Sequence, residues 1–209
     1  MNIRSFRTCA LSALATAVLA GCGALSSLTT PAPAVALYDI GEIEVAETPV
    51  LASLSLSVSA PSWLTTSAMQ YRLLYEPPAA RSAYVLSRWA APPNEMIQHA
   101  LAQSLGTSIL PGQTCRLQIE LDEFTQDFPD AHHSRALLHV RATLYPRYTN
   151  RPIASRAFRL DADTATPDAA GGVLALRQLT AQLGQHLRGW LGASEDIRNA
   201  CQPEAAAEH

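Results

Sequence analysis

The chain has 209 residues, 48% of them apolar and 16% charged, and a formal charge of −3. That balance belongs to a folded protein rather than a disordered one, and the length suits one domain with a real core better than two. The basic residues are all arginine and form no cluster, which argues against a nucleic-acid partner; the absence of lysine excludes a phosphate loop of the Gly-x-x-x-x-Gly-Lys type.

Arg4 and Arg7 precede an apolar run from Cys9 to Ala20. The run is well short of the roughly 20 residues a membrane-spanning helix needs, and it has the basic flank of an export signal. It ends in Leu19-Ala20-Gly21-Cys22, which resembles a bacterial lipobox: a small residue before a cysteine that becomes the lipid-bearing first residue of the mature chain. Residues 1–21 therefore read as a lipoprotein signal peptide and Cys22 as the lipidated residue. The mature chain would be a periplasmic protein held to a membrane by its anchor. Cys9 falls in the signal, so Cys115 and Cys201 are left in an oxidising compartment, either paired or as two thiols; a thiol count with and without reductant separates the two.

Residues 22–35 contain Ala, Ser, Thr, Pro and Leu without charge and read as a flexible tether. A short strand is expected at Leu37 to Ile40, ended by Gly41. Ser53 to Ser59 alternates, with Leu54, Leu56 and Val58 on one face and serines on the other, the pattern of a half-buried strand. Tyr71, Leu73 and Tyr75 share a face of the next strand, which Pro77-Pro78 stops, and Tyr84-Val85-Leu86 forms a further short one. Pro92-Pro93 opens a helix, with Glu95 suited to its positive end, Ile97, Leu101 and Leu105 on one face and Gly106 as terminator.

Cys115, Leu117, Ile119 and Leu121 alternate with polar residues until the apolar parity slips at Phe124, predicting a bulge or strand end there. A polar loop from Thr125 to His133 leads to a return strand with Leu138, Val140, Ala142 and Leu144. The turn at Thr149 to Pro152 leads to a third strand ending at Phe158 and Leu160. Thr166-Pro167-Asp168 reads as a helix start with the hydroxyl at the cap. Val173, Leu176, Leu179, Leu183, Leu187 and Trp190 then keep one apolar stripe. Residues 36–192 thus form one α+β domain, a mostly antiparallel sheet with two amphipathic helices packed on one face; a β-sandwich with peripheral helices is the alternative. Residues 193–209 read as a polar tail.

Asp127, Asp130, His132 and His133 crowd one loop and His139 follows, but no helical His-x-x-x-His or paired Cys-x-x-Cys spacing appears, so the expectation is a solvated loop and no metal. Ser108 follows Gly106-Thr107 without a Gly-x-Ser-x-Gly elbow or an assignable base. No catalytic residue and no cofactor is expected. The remaining distinctive stretch runs from Tyr84 to Pro93. Within and near it, Tyr71, Arg88 and Trp89 are either a core anchor or a partner-docking surface, since Trp, Tyr and Arg dominate interface hot spots.

The lipobox, Trp63-Leu64, Met69-Gln70-Tyr71-Arg72-Leu73, Ser87-Arg88-Trp89-Ala90, Pro92-Pro93, Leu117 to Phe128 and Ser134-Arg135-Ala136 together resemble the ABC-type transport auxiliary lipoproteins, the PqiC-like proteins. The resemblance implies a non-enzymatic, outer-membrane-anchored periplasmic component of an intermembrane lipid transport system. Its expected partner is an inner-membrane ABC permease complex with an MCE-domain lipid-binding subunit. Gly23 after the lipidated position, in place of the Asp associated with inner-membrane retention, fits outer-membrane sorting. A homo-oligomer is compatible with this reading. The competing expectation is an envelope lipoprotein that scaffolds or activates a periplasmic cell-wall enzyme. Neither the two later cysteines nor the histidine loop belongs to the resemblance.

Overall fold

A computed structural model describes residues 33–43, 46–51, 54–76, 80–107 and 114–201. The chain divides by contact into residues 1–34 and 35–209, and the architecture below is that of the second unit. The lipobox, Ser53, Pro77-Pro78, Ser108 and the end of the C-terminal tail lie outside the described residues.

Seven strands form one sheet: β1 (Ala36–Tyr38), β2 (Leu54–Ser59), β3 (Ala68–Leu73), β4 (Arg81–Trp89), β5 (Cys115–Phe128), β6 (Arg135–Pro146) and β7 (Ala154–Asp163). The helices are α1 (Pro93–Leu105), α2 (Ala169–Ala193) and the short α3 (Glu195–Ala200), with a 3-10 turn at Ser62–Leu64. The fold is α+β as expected. Strand order is β1-β4-β3-β5-β6-β7, with β2 also paired to β5.

The sheet is mixed rather than mostly antiparallel. β1–β4, β2–β5 and β3–β5 are parallel, while β3–β4, β5–β6 and β6–β7 are antiparallel. The reason is a double reversal about β3. β4 runs back along one side of β3, and the chain then passes through α1 and reverses again to enter β5 on the other side of β3, so β5 lies parallel to β3 and antiparallel to β4.

Alternation assigns the faces. Leu117, Ile119, Leu121, Leu138, Leu144 and Leu179 are fully buried, and they join one core with Ile97 and Leu101 of α1 and Leu183 and Leu187 of α2. Each such side chain contributes on the order of 1.5–3 kcal/mol by leaving water. α1 ends at Gly106 in the left-handed conformation (φ 64°), whose N–H donates to the Ala102 and Gln103 carbonyls. A Cβ there would also meet Pro49, so glycine is required twice over. At the other helix the cap is Asp168 rather than Thr166: its carboxylate accepts from Gly171 N at 2.8 Å, and the Thr166 hydroxyl orients it by donating at 2.9 Å.

Several boundaries differ from expectation for physical reasons. β4 is nine residues long, so Ser87-Arg88-Trp89 belongs to a strand and not to a connector, because β3 pairs along one side and β1 along part of the other. The parity slip near Phe124 is a bulge between Leu121 and Glu123, and β5 continues past it to Phe128. The polar tail begins with a helix: Ser194 caps α3, and Ile197 is buried beneath it.

Candidate functional site

The residues singled out in the sequence separate in space. Cys115 and Cys201 form a disulfide with Cα atoms 5.3 Å apart, tying α3 to the start of β5. The Thr114 hydroxyl donates to the Cys201 carbonyl at 2.8 Å beside it. Trp89 is 3% exposed and its ring lies 5.3 Å from that of Phe124, which makes it a core anchor. Tyr71 is half-buried in a stack with Tyr84 at 4.7 Å and Phe128 at 5.8 Å. Arg88 alone of the three is exposed, in register with Leu37 of β1 and Ala68 of β3.

The densest polar chemistry surrounds the second half of β5. On one face of the sheet, Arg72 grips Asp127 in a bidentate pair, Nε to Oδ1 at 2.7 Å and Nη2 to Oδ2 at 2.9 Å. Its Nη1 reaches Glu123 at 3.1 Å, and Arg81 approaches the same carboxylate at 2.9 Å. Asp127 and Glu123 are only 9% and 13% exposed, so these are sheltered pairs that need each other. The hydrogen bond to Asp127, helped by the Glu123 charge and opposed by burial, raises the Arg72 pKa further above its ordinary value.

On the other face Gln126 is buried at the start of α2. The Tyr84 hydroxyl donates to its Oε1 at 2.9 Å, and its Nε2 donates to Ser134 Oγ at 2.8 Å and to the Asp168 carbonyl at 3.1 Å. A Cβ on Gly172 would collide with the Gln126 amide, so glycine lets the helix approach. Burial, together with the nearby Tyr71 and Asp168, pushes the Tyr84 pKa upward, keeping the hydroxyl a donor. Backbone N–H from Gly171 and the Thr166 hydroxyl hold the Asp168 carboxyl below its usual range.

Apart from Glu123 Oε1, which meets Arg81 as an ion pair without a hydrogen bond, these groups satisfy one another, which is the chemistry of a fixed scaffold. The parity slip at Phe124 was the sequence signal for this region; the arginine partners, some fifty residues earlier, had none. In the His-rich loop Asp130 accepts from the backbone N–H groups of His132 and His133 and contacts the His133 ring at 2.9 Å. Those bonds, the His132 N–H foremost, lower the Asp130 pKa. His139 lies on β6 opposite Glu123 and Arg159. Asp127, grouped with this loop in the sequence, instead belongs to β5 and pairs with Arg72. Among the described residues no group of three or more His, Cys, Asp or Glu could hold a metal ion, and no helix is long and apolar enough to cross a membrane.

A seven-stranded mixed sheet backed by two helices, with its C-terminal helix stapled by a disulfide, defines a class of small α+β domain whose conspicuous polar groups are paired internally. The chain belongs to the ABC-type transport auxiliary lipoprotein component family, whose model matches residues 44–187. The fold is shared with a crystal structure of a Xanthomonas campestris protein at 20% identity, TM-score 0.64, covering 75% of this chain and 95% of that one. A second crystal structure, of an uncharacterized protein, is similar at 14% identity and TM-score 0.60, covering 76% and 99%. No curated protein matches the sequence.

Proposed function

We propose that this lipoprotein is the outer-membrane-anchored auxiliary component of an MCE-type ABC system that moves lipid between membranes. The observation that carries the reading is the family match over residues 44–187, joined to the lipobox at Cys22. Acyl chains on Cys22 hold the domain at the membrane, with each buried methylene contributing about 0.8 kcal/mol, so several chains anchor stably where one would not.

The role is positional and not enzymatic. The tether keeps the domain at a high local concentration beside its partner, and exposed surface on the α+β unit makes the contact. A domain whose charged groups are already committed to each other keeps its shape on docking and loses little entropy in doing so. Crosslinking of the native lipoprotein followed by identification of its partners tests this directly. An MCE-domain protein is the expected product; capture of a cell-wall synthase in its place would transfer the role to the competing scaffold reading.

A further inference from the structure

Nine large apolar side chains are exposed among the described residues, and four of them fall on β1 or its approach or on β4: Val35, Leu37, Val85 and Leu86. Val85 is 81% exposed and Leu37 70%. The concentration follows from the topology. β1 pairs with β4 only from Ser87 to Trp89, so among the described residues the outer edge of Arg81 to Leu86 has no strand beside it. Clustered exposed apolar side chains mark contact with a protein or a membrane.

From this juxtaposition of an open strand edge, its aliphatic side chains and the point where the tether joins, we propose that the β1–β4 edge is a rim that rests on the lipid surface. The proposal depends on Cys22 being the acylated residue. Val35 opens the domain unit and is itself part of the rim. The thirteen residues after Cys22 span at most roughly 45 Å when extended. The bilayer is therefore always within reach, and a contact of a few aliphatic side chains, too weak to recruit a free protein, acts at the high effective concentration the anchor supplies.

The depth of contact is limited. The N–H and C=O groups along the edge from Arg81 to Leu86 that no described strand pairs must keep water or headgroup partners, so the edge lies at the headgroup boundary and not in hydrocarbon. The register supplies an internal control. Arg81 is level with Arg72 and Asp127 near one end of β5, whereas Tyr148 follows Pro146, which pairs with Cys115 at the other. Leu37 is in register with Arg88 and through it with Ala68, three residues before Tyr71, which lies opposite Gln126; the labelled part of the rim is therefore level with the middle of β5, and Tyr148 lies roughly 30 Å from it.

The test uses the full acylated protein in vesicles of phosphatidylethanolamine and phosphatidylglycerol. A nitroxide is placed in turn on Val85→Cys, Leu37→Cys, Tyr148→Cys and Leu174→Cys; the native Cys115 and Cys201 are bonded to each other and do not react. Labels at 85 and 37 should favour collision with oxygen over a nickel chelate several-fold more than labels at 148 and 174. Adding Leu86→Asp to Val85→Cys should return the label to water with the circular dichroism unchanged. Acylated protein whose four labels are equally aqueous overturns the rim alone. Spin–spin broadening between copies at 85 overturns it in favour of self-association. A mass spectrum without acyl chains removes the Cys22 reading, and the rim with it.

Discussion

Cys115 to Leu121 and Glu123 to Phe128 belong to one strand, yet they are buried in different ways. In the first half Cys115, Leu117, Ile119 and Leu121 are buried against the helices while Gln118 and Glu120 face water. Past the bulge, all five residues from Phe124 to Phe128 are buried, and two kinds of polar network occupy the two faces. A strand with one wet face is stabilised by alternation alone. A strand covered on both faces must supply partners for every polar group it carries, and those partners come from wherever the topology delivers them.

The largest expected effect falls on the apolar half, which also carries the covalent tie. Replacing Cys115 and Cys201 together with serine removes a cross-link spanning 86 residues, and the loop-entropy model predicts a loss of about 4 kcal/mol. Urea unfolding should show it as a lower midpoint, and the α3 amides should lose protection from hydrogen exchange. An unchanged midpoint would break the view that this half depends on being closed by the C-terminal segment.

Next comes the ionic half. Asp127→Ala leaves the Arg72 guanidinium without its bidentate partner in a sheltered place. Loss of one member of a buried pair costs 3–5 kcal/mol, and since Arg72 keeps Glu123 and is 24% exposed, about 2 kcal/mol is expected. Adding Arg72→Met should recover part of that loss, because the stranded charge goes with it. A double variant no more stable than Asp127→Ala would mean that the pair contributes attraction and not mutual relief from desolvation.

This contrast also explains what could be read from the sequence. Leu117, Ile119 and Leu121, like the stripe from Val173 to Leu187, announce themselves by period, and that period alone assigns each to its buried face. The bulge was visible as a slip at Phe124. What followed it was not, because Asp127 beside His132 and His133 looks like a loop until Arg72 is brought across from β3. Burial of Trp89 against Phe124 could not be separated from exposure by composition, since aromatic residues serve cores and interfaces alike. The parallel pairing of β3 with β5 was hidden for the same reason: nothing local encodes a partner on the far side of a helix.

A smaller effect belongs to the α2 cap, which closes the polar network at Gln126. Asp168→Ala removes the acceptor for Gly171 N and should cost about 1 kcal/mol. The folded carboxyl has a lowered pKa, so its contribution is complete above the unfolded value of about 4 and is lost as pH falls through the folded value. The stability gap between the natural chain and the variant should therefore narrow on acidification below pH about 4. A gap that widens there would contradict the assignment of the cap to Asp168.

The smallest effect returns to the first half of β5, on its wet face. Arg141 sits opposite Glu120, donating at 2.8 Å, and lies 3.6 Å from Asp122. The chemistry matches that of Arg72 with its carboxylates, but Arg141 and Glu120 are each more than half exposed. Water already solvates both charges there, and ordering two long side chains offsets the attraction. Arg141→Ala should change stability by less than about 0.5 kcal/mol, with the residue of the effect disappearing at high salt. Set beside Asp127→Ala, it isolates burial as the variable: two arginine–carboxylate groups on one strand, separated by a bulge, should differ several-fold in what their removal costs. Equal losses would mean that charge pairing itself, and not the covering of the strand's second face, distinguishes the halves.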